Sequence, residues 1–178
     1  MKKYFYIILL AGLLFPSKII KSCEKRINKV FQCSTSISKH IYKITDLDKS
    51  SYDVVRQDFF KDEVNVWIID NHADSSKYYA ILDNVIGKTM PISFLSIFNE
   101  DGSVYNVSVI KYREQYGGQI KSKRWLKKFE NYTDTSDYTI GRNISAISGA
   151  TISVHSISKG IHKLSIIINS IIESLNEQ

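Results

Sequence analysis

The apolar residues Val154, Ile157, Ile161, Leu164, Ile168, Ile171 and Leu175 recur at alternating steps of three and four. That spacing lays one continuous stripe along a helix and requires a partner surface to cover it. Gly160 interrupts the stripe and costs about 1 kcal/mol relative to Ala unless something packs closely on it. Ser153 is the expected N-cap. Directly ahead stands Ser148-Gly149-Ala150-Thr151, a small-residue turn ending in a hydroxyl. The first-turn N–H groups of a helix lack internal partners, and the helix dipole adds partial positive charge there, so such a turn is suited to hold a phosphate. Taken alone, the tetrapeptide has a commoner reading, a polar loop before a core helix.

The rest of the chain supplies the partner surface. Val64–Ile69 and Tyr78–Leu82 are rich in β-branched and aromatic residues and read as strands. Pro91–Phe98 and Val104–Tyr112 read as two longer strands joined by a hairpin turn at Asn99–Gly102. Tyr52–Phe60 carries Val54, Val55, Phe59 and Phe60 at helical spacing, Lys121–Phe129 reads as a short basic helix, and Asn131–Tyr138 as a loop. With only two prolines among 178 residues and no repeat, no second folded domain is indicated. The expected fold is α+β, a mainly antiparallel sheet with the long C-terminal helix packed on it. The expected organisation is a signal peptide or membrane anchor over 1–21, a basic linker with short helices over 22–60, and the folded domain over 61–178.

Several segments in order resemble the FMN-binding domain family, which includes the covalent-flavin subunits of sodium-pumping NADH:quinone oxidoreductases and of related ferredoxin–NAD electron-transport complexes. They are Val85-Ile86-Gly87-Lys88, the two strands with Asp101-Gly102 between them, Tyr112-Arg113-Glu114-Gln115-Tyr116-Gly117-Gly118, Trp125-Leu126-Lys127-Lys128-Phe129, and Ile147-Ser148-Gly149-Ala150-Thr151-Ile152-Ser153. The resemblance covers about half the chain, and its last motif is the specific one. It implies FMN joined through its phosphate to Thr151 in a phosphoester bond, installed by a separate flavin transferase with FAD as donor. It also implies cofactor contacts from Ser148, Gly149, Ala150, Ile152 and Ser153, and from Glu114, Tyr116, Gly117 and Gly118 in a second segment. Tyr116 and Trp125 are aromatic candidates for stacking on the ring, core packing being the commoner fate of aromatics. No His or carboxylate adjoins Thr151 in sequence to activate its hydroxyl, which agrees with attachment by another enzyme. Many family members carry Asp six residues before the threonine, where this chain has Ser145.

The formal net charge of +6 is unevenly placed. Residues 1–50 hold ten Lys/Arg against three Asp/Glu, whereas the remainder holds fourteen against fifteen. The folded body is nearly neutral, which argues against nucleic acid as a partner. Lys2 and Lys3 precede the apolar run Tyr4–Phe15, closed by Pro16. That is the length of a signal-peptide core and short of the roughly 20 residues of a membrane span. Ile20-Lys21-Ser22-Cys23 is a poor lipoprotein attachment site because of Lys21. Lys18, Lys21, Lys25, Arg26 and Lys29 beyond the run oppose translocation. Export or membrane association is expected nonetheless. Cys23 and Cys33 allow a disulfide outside the cytoplasm. With no C-x-x-C-H there is no c-type haem site, and His40, His72, His155 and His162 lack zinc-ligand spacing, so no metal site is expected.

The leading expectation is therefore an exported or membrane-associated electron-transfer flavoprotein whose partners are redox proteins of the membrane or envelope. No side chain is assigned as a catalytic acid or base. Two alternatives stand beside it: a flavin-dependent small-molecule reductase, and a non-redox binding or envelope-interaction domain that has lost its flavin.

Overall fold

A five-stranded, wholly antiparallel meander forms the middle layer of the protein, with strand order β1-β2-β3-β4-β5. The computed structural model describes residues 18–32 and 35–177. In chain order these hold α1 (Lys18–Val30), β1 (Thr35–Lys43), α2 (Lys49–Asp53), β2 (Glu63–Asn71), β3 (Ser76–Ile86), β4 (Pro91–Asn99), β5 (Val104–Lys111), α3 (Lys123–Leu126) and α4 (Thr151–Asn176). Short 3-10 turns flank α3. The α+β expectation holds: α4 lies on an antiparallel sheet, as the stripe of apolar residues required.

The central strands are covered on both faces, which is why β3 and β4 read as unbroken apolar runs rather than alternating ones. One face presents Tyr79, Ile81, Val85, Phe94 and Phe98 to Val154, Ile157, Ile161, Leu164 and Ile168 of α4. The other presents Trp67, Ile69, Tyr78, Ala80, Leu82, Leu95 and Ile97 to Ile20, Cys23, Ile27 and Phe31. Cys23 is thus a small apolar core residue, and burial pushes its thiol up to about 12. Cys33 and the apolar run Tyr4–Phe15 lie outside the described residues. Among those described, no helix is long and apolar enough to cross a membrane.

Three expectations require correction. Residues 22–60 are not a linker with short helices. They supply most of α1, which covers one face of the sheet, and β1, which pairs with β2 along its whole length. The sheet therefore begins well before residue 61. Tyr52–Phe60 is helical only to Asp53, and Phe59 and Phe60 belong to the irregular chain that follows. Ser153 does not cap α4. It is buried within the first turn, and the N-cap position is Ala150, which has no side-chain oxygen to offer.

Two contacts fix how α4 sits on the sheet. At Gly160 a β-carbon would lie 2.8 Å from both Phe94 Cζ and Val85 Cγ1, so glycine is what lets the helix come down onto β3 and β4. Three residues on, Lys163 Nζ lies 2.9 Å from Asp83 Oδ2 on β3, with both side chains almost fully buried. The same ammonium donates to the Asp58 carbonyl at 3.1 Å and sits 3.6 Å above the Phe59 ring. Burial pushes the Asp83 carboxyl up and the Lys163 ammonium down, while their mutual attraction opposes both shifts.

Gly160→Ala should lower stability although alanine is the better helix former, because an overpacking cost of roughly 1–3 kcal/mol exceeds the roughly 1 kcal/mol gained in propensity. Chemical denaturation measures it. Lys163→Met, which strands a buried carboxylate, should cost about 3–5 kcal/mol. The double variant Asp83→Leu/Lys163→Met should recover most of that loss in the same titration.

Candidate functional site

The loop 112–118 reaches the start of α4 because the side chains of Tyr112, Arg113 and Glu114 are each tied to backbone groups. Arg113 Nη1 donates to the Pro91 carbonyl at 2.7 Å and to Ser93 Oγ at 3.4 Å, holding the loop against β4. Glu114 accepts from the backbone N–H of Thr89 at 2.7 Å and of Met90 at 3.0 Å, and from the Thr89 hydroxyl at 2.9 Å. These bonds, led by those from the Met90 and Thr89 amides, hold its carboxyl below the usual glutamate range. A β-carbon on Gly87 would come within 2.5 Å of Glu114 Oε1, so a side chain there would push the carboxylate off the amides it holds. Tyr112 donates from its hydroxyl to the Tyr116 carbonyl at 2.6 Å, and the same oxygen lies 3.4 Å from Ser153 Oγ.

Gly117 completes the approach. It adopts φ 78°, and a β-carbon there would stand 2.6 Å from the β-carbon of Ala150. The 112–118 loop and the residue preceding α4 therefore touch with no room for a side chain between them. On the helix side, Gly149 turns the chain at φ 73°, and the Ala150 amide bonds back to the Ile147 carbonyl at 3.1 Å. The first intrahelical bond runs from the Val154 amide to the Ala150 carbonyl. The amides of Thr151, Ile152 and Ser153 thus lead a 26-residue helix that has no side-chain cap.

Two clefts open on either side of Thr151. The first, about 670 Å³, is lined by Lys88, Thr89, the stretch Tyr112–Tyr116, and Gly149–Ser153. The second, about 760 Å³, is lined by Arg56–Phe60, Ile86, Thr151, Ile152, His155, Ser156 and Lys159. Thr151 and Ile152 belong to both, with Thr151 exposed and Ile152 half exposed. The Lys163–Asp58 bond ties the outer wall of the second cleft to the helix.

Of the residues expected at a site, Glu114, Tyr116, Gly149, Ala150, Thr151, Ile152 and Ser153 line the first cleft together. Ser148 is exposed just outside it. Gly117 serves the close approach to Ala150, and Gly118 opens the 3-10 turn Gly118–Lys121, away from the cleft wall. Trp125 is not a stacking residue. It is buried, its indole N–H donates to the Ser145 carbonyl at 2.8 Å, and its ring meets Phe129 edge-on. Tyr116 is 72% exposed at the cleft. Sequence reasoning did not assign Lys88, Thr89 and Arg113 to the site, although Lys88 and Arg113 stood in the quoted segments. It missed the second cleft entirely, because Arg56–Phe60 arrives from a distant part of the chain.

The family model described as "FMN-binding domain" matches residues 87–165. This stretch belongs to the FMN-binding domain family. It spans the Gly87 turn, β4, β5, the 112–118 loop and the first half of α4, so every tie to the Thr151 turn described above, the Lys163–Asp58 bond apart, lies within it. Among solved structures, the crystal structure of Shewanella oneidensis NqrC is similar at 13% identity, with a TM-score of 0.56, over 85% of this chain and 88% of that one. At that identity the likeness concerns the fold. No curated protein sequence matches.

The residues present fit FMN. Thr151, Ile152 and Ser153, whose amides have no intrahelical partner, line a cleft whose volume lies within the range of small-molecule sites, and Thr151 is exposed. Lys88 and Arg113 bring two cations to the lining, against one carboxylate, Glu114, which is bonded to the Thr89 and Met90 amides. Acidification below the ordinary glutamate range should protonate Glu114 and release the 88–90 turn, since a carboxyl held low stabilises only while ionised. The protection factors of the Thr89 and Met90 amides should fall there. Glu114→Gln should show the lowered protection already at neutral pH.

Proposed function

We propose that the protein is an electron-transfer flavoprotein carrying FMN covalently on Thr151, with its phosphate in a phosphoester bond to the threonine oxygen. The observation that carries the reading is the placement of Thr151: exposed, first in a long uncapped helix, and on the rim shared by two clefts. A phosphate on that oxygen lies within the field of the helix N-terminus, which stabilises its negative charge. Bound FMN supplies the ability to accept and release one or two electrons.

The chain's own residues position and enclose. Gly149 and Ala150 leave the backbone bare for close approach, and Glu114 and Arg113 hold the opposite wall through the 87–90 turn and β4. Tyr116 offers an exposed ring face for stacking. No carboxylate or imidazole is bonded to the Thr151 hydroxyl among the described residues, in keeping with attachment by a separate transferase. In that reaction the threonine oxygen takes the flavin-bearing phosphoryl group from FAD, and AMP leaves. The partners are redox proteins at a membrane or envelope surface, reached through export or anchoring by the N-terminal apolar segment.

Ser145, where many relatives carry Asp, favours the second reading, a binding domain without flavin. Its carbonyl is held by Trp125, so the backbone before the turn is anchored whichever side chain stands there. Co-expression with a flavin transferase should give a fluorescent band on a denaturing gel, absent in Thr151→Ala. A dark wild-type band under those conditions rejects the carrier and leaves the binding domain.

A further inference from the structure

β5 is the last strand of the sheet, and its outer edge is open. Among the described residues it pairs only at Val104, whose amide donates to the Tyr132 carbonyl at 2.8 Å and whose carbonyl accepts from the Asn131 amide at 2.7 Å. From Tyr105 to Val109 the strand lines a groove of about 660 Å³, whose walls come from α1 and from the 121–131 segment. A smaller cleft of about 240 Å³ continues it past Val109 and Ile110, still bordered by α1.

The walls are basic on both sides. Arg26 and Lys29 stand on the α1 wall, and Lys121, Lys123 and Lys127 on the other, with Glu130 the one acid lining the groove. Glu130 lies 4.0 Å from Lys127, a contact too long and too exposed to cancel the field. Lys25 extends the α1 wall along the smaller cleft. Proteins commonly guard an open edge with charges on the edge strand itself, or cover it with a helix or loop. Here β5 carries no charge until Lys111 at its end, and the cations stand back on the flanking walls. That arrangement leaves a floor of backbone donors and acceptors between two rows of positive charge.

We propose that this groove binds an extended acidic segment of another polypeptide, added to the sheet as a sixth strand against β5. Successive side chains of a strand point to opposite faces, so acidic residues on either face of the added segment meet a basic wall. Charge complementarity on both walls sets the approach and the preference for acid, while the β5 backbone sets the direction. The groove is separate from the Thr151 clefts, and binding is expected whether or not Thr151 carries flavin.

The test uses the full chain in neutral detergent and a fluorescent peptide of repeated Glu-Glu-Val-Val, which puts glutamates on both faces of a strand. Its control is the same sequence with every backbone amide N-methylated, which preserves charge but removes the backbone donors. Anisotropy should show binding of the first peptide that weakens with salt, weakens at least about tenfold in Lys29→Glu/Lys123→Glu, and is absent for the control. Amide exchange over residues 105–110 should slow in the complex. Equal binding of the two peptides, no effect of the charge reversal, or no binding at all would overturn the proposal. So would vesicles containing phosphatidylglycerol that bind the wild type over the reversed variant while leaving the 105–110 amides unprotected, since the groove would then serve a membrane.

Discussion

The seating of α4 on the sheet determines where the site stands. A helix packed through Leu and Ile alone can slide or rotate by small amounts, because dispersion contacts are individually weak and not directional. Here the slide is blocked twice on adjacent turns. Gly160 admits the Phe94 ring and Val85 to within contact of the helix backbone, and Lys163 is bound to Asp83 on the neighbouring strand. Both lie about two to three turns from Thr151, and a helix transmits their position along its axis with little loss. The buried pair has a second consequence: its lysine also holds Asp58 and Phe59, so one contact fixes the depth of α4 and a wall of the second cleft.

The opposite side of the site follows a different logic. The 112–118 loop has no regular structure until its last residue opens a 3-10 turn, yet it is fixed by charged and polar side chains that use backbone groups as partners. Arg113 grips the first residue of β4, Glu114 the turn before it, and Tyr112 closes the loop on itself. The loop is built so that bare backbone at Gly117 can meet Ala150. Loop and helix N-terminus are thereby located by the same two strands, β4 directly and α4 through its packing on β3 and β4. A cleft between elements sharing one scaffold keeps its width, which a site for a rigid, flat ring requires.

Much of this was legible in the sequence, and what was not has identifiable causes. The apolar stripe of α4 is buried as its spacing required, with Leu175 partly so in the last turn. The strands of the hairpin through Gly102 were legible because β-branched and aromatic residues fill them and a turn residue at φ 79° separates them. β1 was not, because an edge strand with one face in water needs few apolar residues: of its nine, only Tyr42 is buried. α1 was hidden by its boundary. Ile20, Cys23, Ile27 and Phe31 form a helical stripe only when the window opens before residue 22 and the cysteine is counted as apolar. In the site, the hydroxyl and the small turn were visible, but not that Glu114 spends its carboxylate on a backbone turn. That depends on a strand pairing bringing residues 87–90 beside it.

Charge shows the same limit in sharper form. By segment, the excess of Lys and Arg falls at the N-terminus and the body after residue 50 is neutral, which reads as a targeting signal ahead of a featureless surface. In the fold, Arg26 and Lys29 of that segment face Lys121, Lys123 and Lys127 of the neutral body across one strand edge. Neutrality of a segment constrains the sum of its charges and says nothing of their spacing, whereas the field in a groove depends on spacing alone once the sum is fixed. The acids that balance these lysines lie elsewhere. Asp83 is consumed in the core, and Glu114, Asp101 and Asp137 are bonded to the turns they hold. Each carboxylate fixed in that way is one fewer available to neutralise the walls of the β5 groove.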